Sequence, residues 1–222
     1  MRLVGRLLKW TLLVVGGYLA LCVLLLVAYR WVDPLTTTVH LQRVVEGLGG
    51  DDFDYRYRPV DADEMAASAR WALVASEDTR FFQHGGFDWE ELRIARADAE
   101  RTGRPMRGAS TISQQLVKNL FLTTHRSVVR KAFEVPLTFA AEAVLPKERI
   151  LTLYANSIEF GPNGLFGIDA AARHYYGVSA AGLSREQAAR LAAVVPNPHE
   201  RRPDRMGRYA GTVQTRMRQL GH

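Results

Sequence analysis

Residues 108–119 read GASTISQQLVKN and carry the most informative helical pattern of this 222-residue chain. The apolar positions recur at helical spacing and predict a buried face: Ile112, Leu116 and Leu120. The opposite face is polar but sparsely charged: Thr111, Gln114 or Gln115, and Lys118. A strip of hydrogen-bond donors that ends in a lysine suits sugar hydroxyls and diphosphate oxygens. A solvated amphipathic helix without a ligand is the alternative.

Helix start signals repeat along the chain after residue 60 and predict six helices. Their first residues are Asp61, Asp88, Ser110, Ser127, Pro146 and Ser184. The third helix is expected to end at Leu122, the fourth at Leu145 and the sixth before Pro196. Alternating strand patterns bounded by turn dipeptides are scarce. The sequence therefore predicts a mainly α domain over residues 61–222.

Residues 10–29 contain no charged residue, and about 20 apolar residues in a helix are enough to cross a bilayer. This pattern predicts a transmembrane helix. Basic residues and no acid precede it, so the positive-inside rule predicts that residues 1–9 are cytoplasmic and that the domain lies outside. A cleaved signal peptide is the alternative, but the run is long and no A-x-A pattern follows. Cys22, the only cysteine, lies in this run, so no intramolecular disulfide is expected.

Residues 30–60 are polar and mixed, and they include the acidic Asp51, Asp52 and Asp54. We interpret them as a linker or membrane-proximal segment. The basic stretch 101–108 fits a mobile lid over an anionic ligand and a solvated surface equally well. The formal charge of +6 suits an anionic partner, which could be nucleic acid, lipid headgroups or a phosphate-bearing substrate.

Glu77 follows Ala66, Ala69 and Leu73 at helical spacing, so its carboxylate continues a buried stripe. Desolvation disfavours the charged form and moves the pKa toward the value that a general base needs. Glu77 is therefore the first catalytic candidate, with a helix end without a role as the alternative. Asp78 is expected to orient its surroundings.

A second carboxylate, Glu134, lies four residues after Arg130, with Lys131 between them. Ordinary ion pairs on a helix surface give the same pattern. Two carboxylates beside a basic cluster describe glycosyl transfer with an anionic leaving group better than hydrolysis, which needs no cluster of cations.

Together these segments resemble the peptidoglycan glycosyltransferase family, the polymerases of lipid II, which also supplies the N-terminal half of class A penicillin-binding proteins. The motifs are E-D-x-x-F-x-x-H-x-G at 77–86, G-x-S-T-x-x-Q-Q-x-x-K-N at 108–119, R-K-x-x-E at 130–134 and K-x-R-I-L-x-x-Y-x-N at 147–156. Residues 187–198 resemble the family's late helix and Pro-Asn-Pro exit. No Ser is followed by Lys three residues later and K-T-G is absent, so the chain resembles the monofunctional branch. Many relatives carry Glu where this chain has Thr152, and Leu where it has Ala155.

The resemblance implies a lysozyme-like α fold with a smaller membrane-proximal lobe. It implies that Glu77 deprotonates the 4-hydroxyl of the acceptor N-acetylglucosamine. The resulting oxygen would attack C1 of the donor N-acetylmuramic acid with inversion and expel undecaprenyl diphosphate. Lys118, Arg130 and Lys131 would neutralise the diphosphate. Glu134 would hold those cations or a divalent metal, Mg²⁺ or Mn²⁺, and no tightly bound cofactor is expected. The implied substrate-binding set also contains Asp78, Phe81, His84, Ser110, Thr111, Gln114, Gln115, Asn119, Tyr154 and Asn156.

The implied partners are lipid II, the growing lipid-linked strand, the membrane and proteins of cell division or cell-wall synthesis. The implied location is the bacterial inner membrane, with a periplasmic catalytic domain, and nucleic-acid binding conflicts with it. Two alternatives stay open. A lysozyme-like glycan hydrolase would share the carboxylates and the fold. A non-enzymatic membrane-anchored scaffold is supported only by Thr152 and Ala155.

Overall fold

The computed structural model describes residues 2–50, 53–106 and 108–222. Asp51 and Asp52 of the acidic segment and Arg107 of the basic stretch lie outside the described residues. The helices are α1 (Arg2–Ala28), α2 (Thr38–Gly47), α3 (Ala67–Glu77), α4 (Trp89–Thr102), α5 (Ile112–Phe121), α6 (Val128–Val144), α7 (Lys147–Ser157), α8 (Ile168–Tyr176), α9 (Arg185–Val194) and α10 (Gly207–Gln219). The strands are β1 (Arg56–Tyr57), β2 (Glu159–Gly161) and β3 (Leu165–Phe166). The prediction of a mainly α fold is confirmed.

The core packs around four helices, each of which buries a leucine completely: Leu73 of α3, Leu116 of α5, Leu153 of α7 and Leu191 of α9. Full burial of one such side chain stabilises the fold by roughly 1.5–3 kcal/mol. Helix α5 lies against both α6 and α7, and α3 lies against α9 and α10. The C-terminal end of α3 and the N-terminal end of α5 are therefore held by packing, and these ends carry the predicted site.

The small sheet has β3 in its centre, parallel to β1 and antiparallel to β2. Strands of two or three residues are too short to show a period-two pattern, which is why the sequence did not predict them. Gly167 follows β3 with a φ of 86°, and a Cβ there would lie 2.8 Å from the carbonyl oxygen of Asn156. Only glycine fits this close approach between the sheet and α7.

Residues 30–60 contain regular structure that the interpretation as a linker did not include. Thr37 caps α2 by accepting a hydrogen bond from the His40 amide. The His40 ring is buried and contacts the Ser157 carbonyl oxygen through Nε2 (3.0 Å) and the Tyr55 hydroxyl through Nδ1 (3.1 Å). Burial lowers the pKa of His40 to about 4, so the ring is neutral at pH 7. The domain boundary at residue 60 stays a prediction.

The predicted starts at Asp88, Ser127 and Ser184 are confirmed, because each side chain caps its helix. Pro146 directly precedes α7. Two starts are wrong. Asp61 and Glu64 form a reciprocal capping box, but on a three-residue 3₁₀ turn, and α3 begins at Ala67. Thr111 caps α5 in place of Ser110, and Gln114 completes its capping box. Helices α2, α8 and α10 were not predicted.

Among the described residues, α1 is the one helix long and apolar enough to cross a membrane. Its second half packs on the domain, where Cys22 and Leu26 are buried. The Tyr18 hydroxyl donates a hydrogen bond to the Phe121 carbonyl, and its ring lies edge-on to Phe133 at 6.0 Å. An apolar cavity of about 480 Å³ lies between α1 and the first turns of α6. The helix is compatible with a single-pass anchor.

Candidate active site

A polar cleft of about 850 Å³ lies where the ends of α3 and α9 approach α2, α5 and α10. Seven of the predicted site residues line it: Glu77, Asp78, Ser110, Thr111, Gln115, Lys118 and Asn119. The structure thus brings the first two sequence motifs together, although about 30 residues separate them in the chain.

Glu77 is the last residue of α3 and faces this cleft. Its Oε2 accepts a hydrogen bond from Gln115 Nε2 (2.8 Å), and its Oε1 lies 3.5 Å from Ser76 Oγ. Burial raises the pKa of Glu77, and the Gln115 hydrogen bond and the charge of Lys118 oppose that rise. A carboxylate held by neutral donors in a poorly solvated position is suited to accept a proton.

Gln115 is held from the other side by Tyr154. The buried Tyr154 hydroxyl donates to Gln115 Oε1 (3.1 Å), so the amide nitrogen of Gln115 points to Glu77. Burial raises the pKa of Tyr154 far above its usual range, so the hydroxyl keeps its proton. Tyr154 therefore acts on the cleft only through Gln115.

Asp78 ties the two motifs together. Its carboxylate accepts a hydrogen bond from the amide of Ile112 (3.0 Å), the first residue of α5, where a negative charge also suits the helix dipole. It also accepts one from His84 Nε2 (3.0 Å), while His84 Nδ1 accepts from the Gly86 amide (3.2 Å). The proton of His84 is thus assigned to Nε2 by its partners. Asp78 and His84 orient the start of α5 and with it Gln115 and Lys118.

Lys118 lies on the cleft side of α5, three residues after Gln115. Its ammonium group makes no hydrogen bond or ion pair with any residue the structure describes. Burial, followed by the charge of Arg130, lowers the pKa of Lys118. A poorly solvated cation that lacks a direct ion pair and lies in a cleft is suited to bind an anion.

Glu134 is buried on α6 and lies next to α5 without lining the cleft. It accepts hydrogen bonds from Arg130 (2.7 Å), Lys131 and Gln114 Nε2 (3.2 Å). The predicted cluster of one carboxylate and two cations therefore exists and is joined through Gln114 to the start of α5. One carboxylate balances only one of the two cations, so a net positive charge remains beside Lys118.

A metal role for Glu134 stays a prediction. Within residues 2–50, 53–106 and 108–222, Glu134 belongs to no group of three potential metal ligands. The one such group is Asp78, His84 and Asp88. Its members are engaged by protein donors, since Asp78 accepts from His84 and Asp88 accepts from the Glu91 amide (2.9 Å).

Two further predicted site residues lie under the cleft in the core. Phe81 is fully buried, with Lys147 Nζ 4.4 Å from its ring centroid. Asn156 is fully buried and exchanges two hydrogen bonds with the Val60 backbone, at 2.9 and 3.3 Å. A substrate does not reach either side chain without rearrangement, so the structure gives both residues contacts that support the cleft.

The two departures from the family pattern lie in the interior of α7. Thr152 is buried and donates its hydroxyl to the Glu148 carbonyl (2.9 Å), and Ala155 is fully buried. Neither residue lines the cleft. They alter core packing rather than the polar lining.

The cleft also contains residues that the sequence did not single out: Arg43, Arg126, Glu159 and His199. Arg43 lies on α2, in the range interpreted as a linker. Glu159 and His199 lie outside any periodic pattern that would have selected them. Opposite charges on distant segments were the only sign in the sequence that these residues could meet. A single sequence does not show which distant segments pack together.

The family model described as "Transglycosylase" matches residues 46–220. The biosynthetic peptidoglycan transglycosylase of Chromohalobacter salexigens is 44% identical over 221 residues, which cover 96% of this chain and 93% of that protein. The protein of the same name from Laribacter hongkongensis is 45% identical over 199 residues, covering 86% and 87%. That from Rhodospirillum centenum is 43% identical over 221 residues, covering 98% and 93%.

Proposed function

This chain belongs to the transglycosylase family, and from that membership we propose how its cleft carries out glycan polymerisation. The chain is a glycosyltransferase of peptidoglycan synthesis with the lysozyme-like α fold of the family. The substrate is lipid II, and the product is a linear glycan strand. One observation carries the assignment of roles: a carboxylate with a raised pKa, Glu77, shares the cleft with an unpaired cation, Lys118.

Glu77 is the general base in this proposal. It removes the proton from the 4-hydroxyl of the acceptor N-acetylglucosamine, and that oxygen attacks C1 of the donor N-acetylmuramic acid. The bond from C1 to the diphosphate oxygen breaks with inversion, and undecaprenyl diphosphate leaves. The Gln115 amide holds the carboxylate in place without neutralising it.

Lys118 is the cation that stabilises the leaving diphosphate as its charge grows. Arg130 and Lys131 add positive potential next to it, and Glu134 keeps both side chains in place. A divalent cation, Mg²⁺ or Mn²⁺, would assist the same charge development; Glu134 would hold it only in place of Arg130 and Lys131, because that carboxylate is engaged by both and does not line the cleft. Ser110, Thr111 and Asn119 offer neutral hydrogen bonds to the sugars.

The anchor places the cleft at the lipid surface. We assign a single-pass topology in the bacterial inner membrane, with residues 1–9 in the cytoplasm and the catalytic domain in the periplasm, from the basic residues that precede the apolar run. The apolar cavity between α1 and α6 is also lined by Arg130. An apolar cavity beside a cation supports a substrate that joins a polyprenyl chain to a diphosphate.

The test is polymerisation by the purified full chain in detergent, with lipid II that carries a fluorescent label. The expected products are glycan strands of several disaccharides and an equivalent of undecaprenyl diphosphate for each bond formed. A parallel reaction without divalent cations, followed by addition of Mg²⁺ or Mn²⁺, measures the proposed metal role.

Two results would overturn the proposal. Release of soluble sugar from finished glycan, with lipid II untouched, would identify a hydrolase. Binding of lipid II without turnover, under conditions where a relative polymerises it, would identify a scaffold.

A further inference from the structure

Three segments meet on one wall of the cleft through a carboxylate that the reaction above does not use. Glu159 is the first residue of β2, Arg43 lies on α2 and His199 follows α9. Glu159 Oε2 accepts from Arg43 Nε (3.2 Å) and lies 3.1 Å from His199 Nε2. All three residues line the same cleft as Glu77 and Lys118.

The second oxygen of this carboxylate is unsatisfied. Glu159 is 8% exposed, and its Oε1 is buried with no hydrogen-bond partner among the residues that the structure describes. Glu159 lines the cleft, so this oxygen belongs to the wall that a ligand would contact. Native proteins pair almost all buried polar atoms, and an unpaired carboxylate oxygen is among the most costly exceptions. A donor brought by a ligand would remove that cost.

The charges around Glu159 restrict the kind of donor. Arg43 already supplies a positive charge to the Glu159 carboxylate, and it also forms an ion pair with Glu46 at 2.6 Å. A ligand ammonium would meet the repulsion of the guanidinium. A neutral O–H or N–H group completes the hydrogen bonding without adding charge, and a glycan of N-acetylated sugars carries both.

We propose that Glu159 is a saccharide-binding residue whose Oε1 accepts a hydrogen bond from a hydroxyl or acetamido N–H of the glycan in the cleft. Arg43 and His199 are positioning residues that hold Oε2. The inference rests on the proposed function, because it identifies a second contact for the same substrate.

The experiment measures kcat and KM for lipid II with the full chain in detergent. Glu159→Ala should raise KM about tenfold and change kcat less than about threefold, because a binding contact away from the reacting atoms is lost. Glu159→Gln keeps a carbonyl acceptor and should lie between Glu159→Ala and wild type. Glu46→Gln, the control, touches Arg43 but does not line the cleft and should leave both constants unchanged.

A second pair of reactions distinguishes the two substrate positions. Initiation uses lipid II alone, and elongation starts from a lipid-linked tetrasaccharide. A larger KM effect for the tetrasaccharide places Glu159 against the growing strand, and a larger effect for lipid II places it against the acceptor.

An unchanged KM in a folded Glu159→Ala protein would overturn the inference. The same holds if Glu46→Gln raises KM as much, since the effect would then act through Arg43. If Glu159→Ala does not fold, Glu159→Gln decides by the same criterion. Failure of the proposed function itself looks different, because wild-type protein would then make no polymer.

Discussion

Glu77 and Glu134 are the same residue type in neighbouring parts of the molecule, and their surroundings are opposite. Glu77, at the end of α3, is held by an amide and lies near a hydroxyl, and it has no ion-pair partner among the described residues. Glu134, on α6, is held by a guanidinium, an ammonium and an amide. Burial raises the pKa of Glu77. Two cations compensate the charge of Glu134.

This difference separates the chemistry of the two carboxylates. A carboxylate without a direct ion pair can gain and lose a proton at little cost in structure, so Glu77 suits proton transfer. A carboxylate shared by two cations is committed to holding them. The difference favours Glu77 as the reacting base and Glu134 as the support of Arg130 and Lys131.

The largest effect is expected from Glu77→Gln. The amide is nearly isosteric but does not accept the acceptor proton, so polymerisation should fall by about 10²–10⁴-fold, the usual contribution of a general base. The melting temperature should stay close to that of wild type. Polymerisation of lipid II in detergent and thermal unfolding measure the two quantities. A folded variant within a few-fold of wild-type activity would remove Glu77 from its role.

Glu134→Ala should mainly reduce stability. It leaves Arg130 and Lys131 without their carboxylate, and the expected loss in the free energy of unfolding is about 2–3 kcal/mol, less than for a fully buried pair because Lys131 is partly exposed. Glu77→Ala, the matched control, should lose less because it removes a desolvated charge without a cationic partner. Urea unfolding compares the two, and equal losses would contradict the distinction.

Replacement of Lys118 tests whether the free cation serves the leaving group. Lys118→Ala should reduce polymerisation by about tenfold, and Lys118→Arg should retain part of the activity because the positive charge remains. Burial lowers the pKa of Lys118, so wild-type activity falls as pH rises through that lowered value. Arginine stays protonated, so this alkaline decline should move to higher pH in Lys118→Arg. Near-normal activity in both variants would make the lysine a surface residue.

The smallest effect is a shift in the acid side of the pH profile. The Gln115 hydrogen bond lowers the pKa of Glu77, so Gln115→Leu should raise that pKa further. Because the base acts when deprotonated, the rise in activity with pH should move to higher pH, with kcat on the plateau reduced only a few-fold. Gln219→Leu changes another cleft amide and should leave the profile in place. Identical profiles for all three proteins would show that Gln115 does not tune the base.

The sequence predicted the mainly α fold, the apolar N-terminal helix and the motifs that carry the candidate site. Helix caps at Asp88, Ser127 and Ser184 were identified because capping depends on residues three apart in the chain. The same local signal misplaced the start of α3, since the Asp61–Glu64 capping box fits a 3₁₀ turn as well as an α-helix.

The candidate site was predicted in its residue types and less well in its geometry. Helical spacing selected Glu77 and Lys118, and both line the cleft. Helical spacing did not show which of the two glutamines faces the cleft, because adjacent residues lie about 100° apart on a helix and both fitted the polar face. In the structure Gln115 contacts Glu77, and Gln114 contacts Glu134. Phe81 and Asn156 share a motif with cleft residues, yet packing places them in the core.

The sequence by itself determined the helices that are capped by Asp88, Ser127 and Ser184, the carboxylates that lie beside basic residues in the chain, and the family to which the motifs belong. These properties depend on spacings of three to seven residues, and local backbone geometry sets them. Only the tertiary structure decided that Asp78 binds the start of α5, that Tyr154 orients Gln115, and that Arg43, Glu159 and His199 share one wall. Each of these contacts joins residues at least 34 positions apart in the chain. Packing of the whole core brings such residues together, and no local pattern carries that information.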